Sequence, residues 1–268
     1  MTSIPVVFIH GLWLHSSSWD PWVELFRENG YEPHNPGWPG DGPTVADTRA
    51  NPGPIGGLGV EEITDHFAAA IAELSAAPVV VGHSFGGLVA QKLLGRKLAS
   101  AAVAIDPAQM KGVIRLPLTQ LLGVLPVVSN PSNYLGTHIH SKNSFQSMFG
   151  NAIPVRESDA LHDRYVIPAP GRPLFEAASA NFFPHSPTAV DVTADRGPLL
   201  IVGGGEDKAV PEASSRSSFN RYRKASTVNE YKVFDDRGHS LVIDHGWREI
   251  ADHTLSWLAK KNVGATAE

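Results

Sequence analysis

Residues 79–90 read Val-Val-Val-Gly-His-Ser-Phe-Gly-Gly-Leu-Val-Ala, a buried strand running through Gly82-His83-Ser84-Phe85-Gly86-Gly87 into a helix. A serine on so sharp a strand-to-helix turn needs glycines on either side, because a Cβ at residue 82 or 86 would collide with neighbouring backbone. The turn lifts the Ser84 hydroxyl out of the sheet and sets it at a helix N-terminus. There a free amide, such as that of Phe85, can hold a developing oxyanion. The chain contains no cysteine, so thiol chemistry is excluded and Ser84 stands as the covalent nucleophile.

A serine hydroxyl is a weak nucleophile near neutral pH and needs a base within hydrogen-bond reach, itself oriented by a third group. Of the twelve histidines, His239 is placed for that role. It follows the strand-like run Tyr231 to Phe234 on the glycine-containing loop Asp235-Asp236-Arg237-Gly238-His239-Ser240. The acid is expected after the preceding strand, in Leu199-Leu200-Ile201-Val202-Gly203-Gly204-Gly205-Glu206-Asp207. Asp207 is the candidate, with Glu206 beside it and Asp106, at the end of an earlier strand in Ala104-Ile105-Asp106-Pro107, as competitors.

The elements that must position these residues follow from periodicity. Short β-branched runs at Val6 to Ile9, Val79 to Val81, Ala102 to Ile105, Leu199 to Val202 and Tyr231 to Phe234 read as buried strands. Helical patterns lie between them over residues 19–29, 60–74, 86–97 and 247–259. Apolar strands alternating with amphipathic helices predict an α/β fold, with a mostly parallel central sheet covered by helices on both faces. The 25 glycines and 21 prolines exceed average usage, and fourteen of them fall in residues 30–59, read as a long loop system over the sheet edge. Over 112–195 the rhythm breaks into short greasy pieces punctuated by proline. The reading is one domain, with residues 1–111 and 196–268 as the core and 112–195 as an inserted helical cap.

Composition limits the partners. The apolar fraction of 42% supports a sizeable core, and the charged fraction of 18% is too low for a disordered chain. Lys and Arg total 22 against 27 Asp and Glu, a net charge of −5 that offers no field for nucleic acid. The N-terminal residues lack the basic region of a signal peptide. The apolar run 113–128 contains Arg115, Thr119, Gln120 and two prolines, wrong for a membrane span. A cytoplasmic protein with no membrane partner is expected. No heptad declares an oligomer, and a homo-oligomer stays open.

From end to end these motifs resemble the α/β-hydrolase superfamily. Phe8-Ile9-His10-Gly11-Leu12-Trp13 resembles its His-Gly oxyanion loop, which implies that Leu12 supplies a second backbone donor beside Phe85. Gly37-Trp38-Pro39-Gly40-Asp41-Gly42 resembles the Pro/Gly-rich loop after the second strand, a structural feature. The compact length, the early His-Gly strand and Glu206-Asp207-Lys208-Ala209-Val210-Pro211 are similar to the small plant-type methyl esterases and hydroxynitrile lyases. The lyases carry a lysine directly after the catalytic histidine, where this chain has Ser240. Dehalogenases and epoxide hydrolases of this fold use aspartate at the elbow, where this chain has Ser84.

The resemblance implies a serine hydrolase that cleaves a small carboxylic ester, a thioester or a lactone through an acyl-enzyme, without cofactor or metal. Ser84, Asp207 and His239 would be its triad, and the apolar cap suggests a substrate with a hydrophobic group. Lyase, perhydrolase or acyltransferase chemistry on the same residues, and a non-catalytic binding protein on the same scaffold, are the alternatives. Trp13 and Trp38 are aromatic candidates for a pocket wall, with Trp13 taken as substrate-binding. Gly56-Gly57-Leu58-Gly59 lacks a preceding strand and a following Lys-Ser/Thr, so it reads as a loop and not as a phosphate cradle. His138 and His140 have no evident third ligand nearby and read as cap-surface residues.

Overall fold

The β-branched runs pair in register in the computed structural model, which describes residues 3–114 and 118–263. The strands are β1 (Pro5–Ile9), β2 (Glu32–His34), β3 (Val79–His83), β4 (Ala101–Ile105), β5 (Thr137–His138), β6 (Ala169–Pro170), β7 (Leu199–Gly204) and β8 (Asn229–Phe234). Six form one parallel sheet in the order β2-β1-β3-β4-β7-β8. Strands β1, β3, β4 and β7 are buried along their whole length. That is why they read as continuous apolar runs without alternation. The short pair β5-β6 is antiparallel and separate.

The helices are α1 (Asp20–Glu28), α2 (Val45–Ala50), α3 (Val60–Ala72), α4 (Phe85–Gly95), α5 (Leu118–Val128), α6 (Lys142–Met148), α7 (Val155–Tyr165), α8 (Arg172–Ser179), α9 (Glu212–Asn220) and α10 (Trp247–Lys260). Helix α1 shows how a sequence pattern becomes packing. Trp22, Leu25 and Phe26 lie on one face and bury against the sheet, where Phe8 of β1 meets Trp19, Trp22 and Phe26 at ring separations of 5.1 to 6.2 Å. Helix α4 is buried on every side. Its one cation, Lys92, ends on Glu61 at 2.9 Å and on the carbonyls of Pro187 and Ala189.

The reading of residues 30–59 needs revision. The segment is not all loop: it holds β2, an edge strand paired with β1, and α2, capped by the Thr44 hydroxyl on the Asp47 amide at 3.1 Å. Pro33 hides the strand in the sequence, yet an edge strand tolerates proline because one side of its ladder is unpaired. Residues 112–195 contain α5 to α8 and β5-β6. Of the apolar run that begins near 113, residues 115–117 lie outside the described residues. No helix among the described residues is long and apolar enough to cross a membrane.

Strand order fixes where a site can form. The chain leaves β1 for β2 on one side and, after β3, proceeds through β4, β7 and β8 on the other. The loops after β1 and β3 therefore diverge, opening a crevice at the carboxyl ends of these adjacent strands. Gly11 and Leu12 follow β1, and Ser84 follows β3.

Candidate active site

Ser84 sits at φ 56° and ψ −121°, between β3 and α4. A non-glycine residue there costs on the order of 1–3 kcal/mol and persists only where its surroundings enforce it. They do so here: the Ser84 amide donates to the Ile105 carbonyl at 2.9 Å, and its carbonyl accepts from the amides of Gly87 and Ala108 at 2.9 Å. The flanking glycines are required by contact. A Cβ at residue 82 would lie 2.0 Å from the Gly86 carbonyl oxygen, and one at residue 86 would lie 2.1 Å from the Ile9 carbonyl oxygen. Of five non-glycine residues with positive φ among the described residues, three are at strand ends around this point: Trp13, Ser84 and Asp106.

The loop after β1 packs directly on Ser84, for a Cβ at residue 11 would lie 2.7 Å from the Ser84 Cβ. Among the described residues neither the Leu12 nor the Phe85 amide has a backbone partner, so both remain free to donate. His10 anchors this loop. Its Nε2 faces the Asp41 carboxylate at 3.1 Å, its Nδ1 lies 2.9 Å from the Gly11 carbonyl oxygen, and Trp38 stacks on its ring at 5.2 Å. Trp38 Nε1 donates to the His10 carbonyl at 3.0 Å. The Gly-Trp-Pro-Gly-Asp-Gly run thus braces the β1 loop from behind, and Trp38 is core, not pocket wall.

His239 and Asp207 are brought together from the ends of β8 and β7. The His239 Nδ1–H donates to Asp207 Oδ2 at 2.6 Å, which leaves Nε2 bare to accept a proton. The other oxygen of Asp207 accepts from the amides of Ala209 and Val210 at 2.7 and 2.8 Å. Burial lowers the His239 imidazole from its ordinary value to about 4. Burial raises the Asp207 carboxyl to about 7, against the lowering influence of the Asp106 side chain and of the Val210 and Ala209 amides. Glu206 is exposed, and its main chain is held by Arg237 and Asn151, so it takes no part in this pair.

Three residues that sequence reasoning left aside also hold His239. Phe149 sets its ring edge-on at 4.6 Å, and its carbonyl accepts from the Ser240 amide at 3.1 Å. His83 donates from Nε2 to the His239 carbonyl at 3.0 Å, leaving its own Nδ1 buried and without a partner. Asp244 accepts from the Ser240 hydroxyl at 2.8 Å and pairs with Arg237 beneath the loop. Ser240 is wholly buried, with its hydroxyl directed to Asp244.

Ser84, Phe85 and His239 open onto a cavity of about 150 Å³. Its apolar wall includes Trp13, Val124, Met148, Phe149, Leu174 and Val210, and its neutral polar groups are Gln109, Gln120 and His140. No Lys, Arg, Asp or Glu is among the described lining residues. Trp13 lines this cavity, and its Nε1 is tied to the His138 carbonyl at 3.0 Å. His140 is buried, not at the surface as expected: Nδ1 meets the Ser144 hydroxyl at 2.7 Å, the ring packs on Trp13 at 4.1 Å, and burial pushes its pKa down to about 3.

One set of potential metal ligands exists among the described residues. His83, Asp106 and His239 each place a ligand atom within 4.8 Å of the others, all deeply buried. His239 Nδ1 and His83 Nε2 are already spent on Asp207 and on a carbonyl. The donor set suits the orientation of an imidazole better than the capture of an ion.

A family model described as the alpha/beta hydrolase family matches residues 6–253. No curated protein matches the chain. Among solved structures, a monoacylglycerol lipase from Paleococcus ferrophilus is 23% identical, with a TM-score of 0.67 over 96% of this chain and 94% of that one. A thermophilic esterase from Thermogutta terrifontis is 16% identical, with a TM-score of 0.68 over 97% and 91%. A methylesterase from Arabidopsis is 15% identical, with a TM-score of 0.65 over 96% and 99%. At these identities the likeness is one of fold.

Proposed function

The chain belongs to the alpha/beta hydrolase family, and from that premise we propose that it is a serine hydrolase acting on small, uncharged carboxylic esters through an acyl-enzyme. The observation that supports the reading is that a strained Ser84 and an imidazole whose Nδ1 is held 2.6 Å from Asp207 line the same cavity. A serine that merely capped a helix would need neither the strain nor the oriented base.

In this mechanism His239 Nε2 removes the Ser84 proton as Oγ attacks the ester carbonyl. The amides of Leu12 and Phe85 receive the oxyanion, and Asp207 stabilises the imidazolium. The imidazolium then protonates the departing alcohol, and the same groups activate water to release the acid. The described residues of 112–195, with Phe149 and the cavity-lining Val124 and Leu174, act as a cap over the nucleophile. The three esterase and lipase folds named above fit this reading of the substrate class.

Cavity size narrows the substrate. A cavity of about 150 Å³ lined by apolar side chains accommodates a benzene-sized group, so the buried part of the ester is a short acyl chain or one ring. Absence of a charged residue among the described lining residues supports a neutral group. Hydrolysis of p-nitrophenyl esters of graded acyl length tests the proposal. Turnover abolished by Ser84→Ala is expected, whereas equal rates in the wild type and that variant would overturn it.

A further inference from the structure

The acid behind His239 is not one carboxyl but two. Asp106 follows β4 and is wholly buried, at φ 40°. Its Oδ1 accepts from the Gly204 amide at 2.7 Å, which fixes the carboxyl plane. Its Oδ2 is buried and receives no N–H or O–H among the described residues. A carboxyl oxygen of Asp106 lies within 4.8 Å of a ring nitrogen of His239, the imidazole whose Nδ1 meets Asp207 at 2.6 Å, and the Asp207 charge acts directly on Asp106. The remaining titratable groups around it are His83 from the end of β3, His239 from the loop after β8, and Tyr231 on β8. Among the described residues, no Lys or Arg belongs to the charges that act on it.

Two adjacent carboxylates cannot both be ionised in so dry a place. Asp207 already accepts three N–H donors, from His239, Ala209 and Val210, so the negative charge belongs there. Asp106 has one N–H donor on one oxygen, and an empty position on the other that a proton would fill.

We propose that Asp106 carries a proton and donates it in a hydrogen bond to the Asp207 carboxylate, making Asp106 a positioning residue for the Asp207–His239 pair. This rests on the triad reading above. The direction of its titration agrees, since burial and the neighbouring Asp207 both hold the Asp106 carboxyl well above the usual carboxylate range. A fourth donor lowers the basicity of Asp207 and keeps it ionised, so that the imidazolium formed during attack keeps its Nδ1 proton. The strained backbone at residue 106 is what turns the carboxyl back toward β7.

Asp106→Asn and Asp106→Leu separate the roles. Asparagine keeps a neutral donor toward Asp207 and an acceptor for the Gly204 amide; leucine removes both. If Asp106 is the protonated donor, the acidic limb of kcat/KM stays in place in Asp106→Asn. It moves up by roughly half a pH unit or more in Asp106→Leu, because a more basic Asp207 holds the imidazolium more tightly. If Asp106 were ionised, removing its charge would move the limb down in both variants, which would overturn the proposal.

Infrared difference spectra need no turnover and cover a leucine variant that fails to fold. At pH 7 the wild type minus Asp106→Asn is expected to show the C=O stretch of a protonated carboxyl, shifted in D₂O. A difference containing only carboxylate bands would refute it. A wild type that turns over no ester would count against the hydrolase reading, leaving the infrared band to decide Asp106.

Discussion

Gly11→Ala puts the oxyanion loop to a quantitative test. The new Cβ would sit 2.7 Å from the Ser84 Cβ, 3.0 Å from the His83 carbonyl oxygen and 3.4 Å from Ser84 Oγ. Ordinary contact begins near 3.4 Å, so in a close-packed site the loop and the elbow must separate by roughly 0.7 Å. A Leu12 amide set at about 2.9 Å from an oxyanion then lies near 3.6 Å, where it is no longer a hydrogen bond. Loss of one such donor costs about 3 to 4 kcal/mol of transition-state stabilisation, or 10²- to 10³-fold in kcat. Because Ser84 gives way as well as the loop, the lower end, about 100-fold, is expected, with KM little changed. The assay is steady-state hydrolysis of p-nitrophenyl butyrate, with thermal unfolding to establish that the variant is folded. Gly53→Ala is the control, since the nearest atom to its Cβ is at 3.9 Å. A folded Gly11→Ala enzyme with kcat within about threefold of wild type would refute the placement of the Leu12 amide in the oxyanion site.

Other consequences follow from the same geometry. Since His239 must be neutral to act as base and burial lowers it to about 4, kcat/KM falls only as pH drops well below the ordinary 6.5; an apparent pKa at or above 6.5 contradicts this. Asp207→Asn reverses the hydrogen-bond polarity toward His239 Nδ1 and should lower kcat by roughly 10⁴-fold, as the wrong tautomer does in other triads; stopped-flow or steady-state rates decide, and a loss under about tenfold counts against the role. His140 is held at about 3 when folded and titrates near 6.5 when unfolded, so below pH 6.5 the unfolded chain alone takes up this proton. The stability of wild type relative to His140→Phe should therefore fall as pH drops below 6.5, approaching about 1.4 kcal/mol per pH unit between pH 5.5 and 4 in urea titrations. Parallel curves for the two proteins would refute the neutral, buried imidazole. In the acyl series, kcat/KM should rise about fourfold per methylene, at roughly 0.8 kcal/mol each, and then drop once the chain outgrows the cavity.

The strongest sequence signals were those in which local geometry and chemistry coincide. Ser84 could be read because Gly82 and Gly86 leave the elbow no alternative, and His239 and Asp207 because each follows an apolar strand whose end delivers it to one edge. The crossing from β7 to β8 that brings them together is a property of sheet order, which alternation of strand and helix implies only in outline. Strand β2 was hidden by Pro33, since propensity cannot tell an edge strand from a loop. Phe149 and His140 were illegible as site residues because the irregular 112–195 segment has no periodicity that assigns a face. Asp106 was legible as an alternative acid at a strand end. That its oxygen lies buried against a second carboxyl comes only from the pairing of β4 with β7.

The central claim is that Ser84 is a nucleophile activated by His239, and reaction with a fluorophosphonate tests it most directly. Mass spectrometry of the intact protein and its peptides is expected to find one phosphonyl adduct, on the peptide that carries Ser84. Its formation should slow only as pH falls well below 6.5, toward the value of about 4 to which burial lowers His239, and it should be absent in Ser84→Ala. Folded wild-type protein that stays unmodified, or is modified at another serine while Ser84 is untouched, would contradict the account.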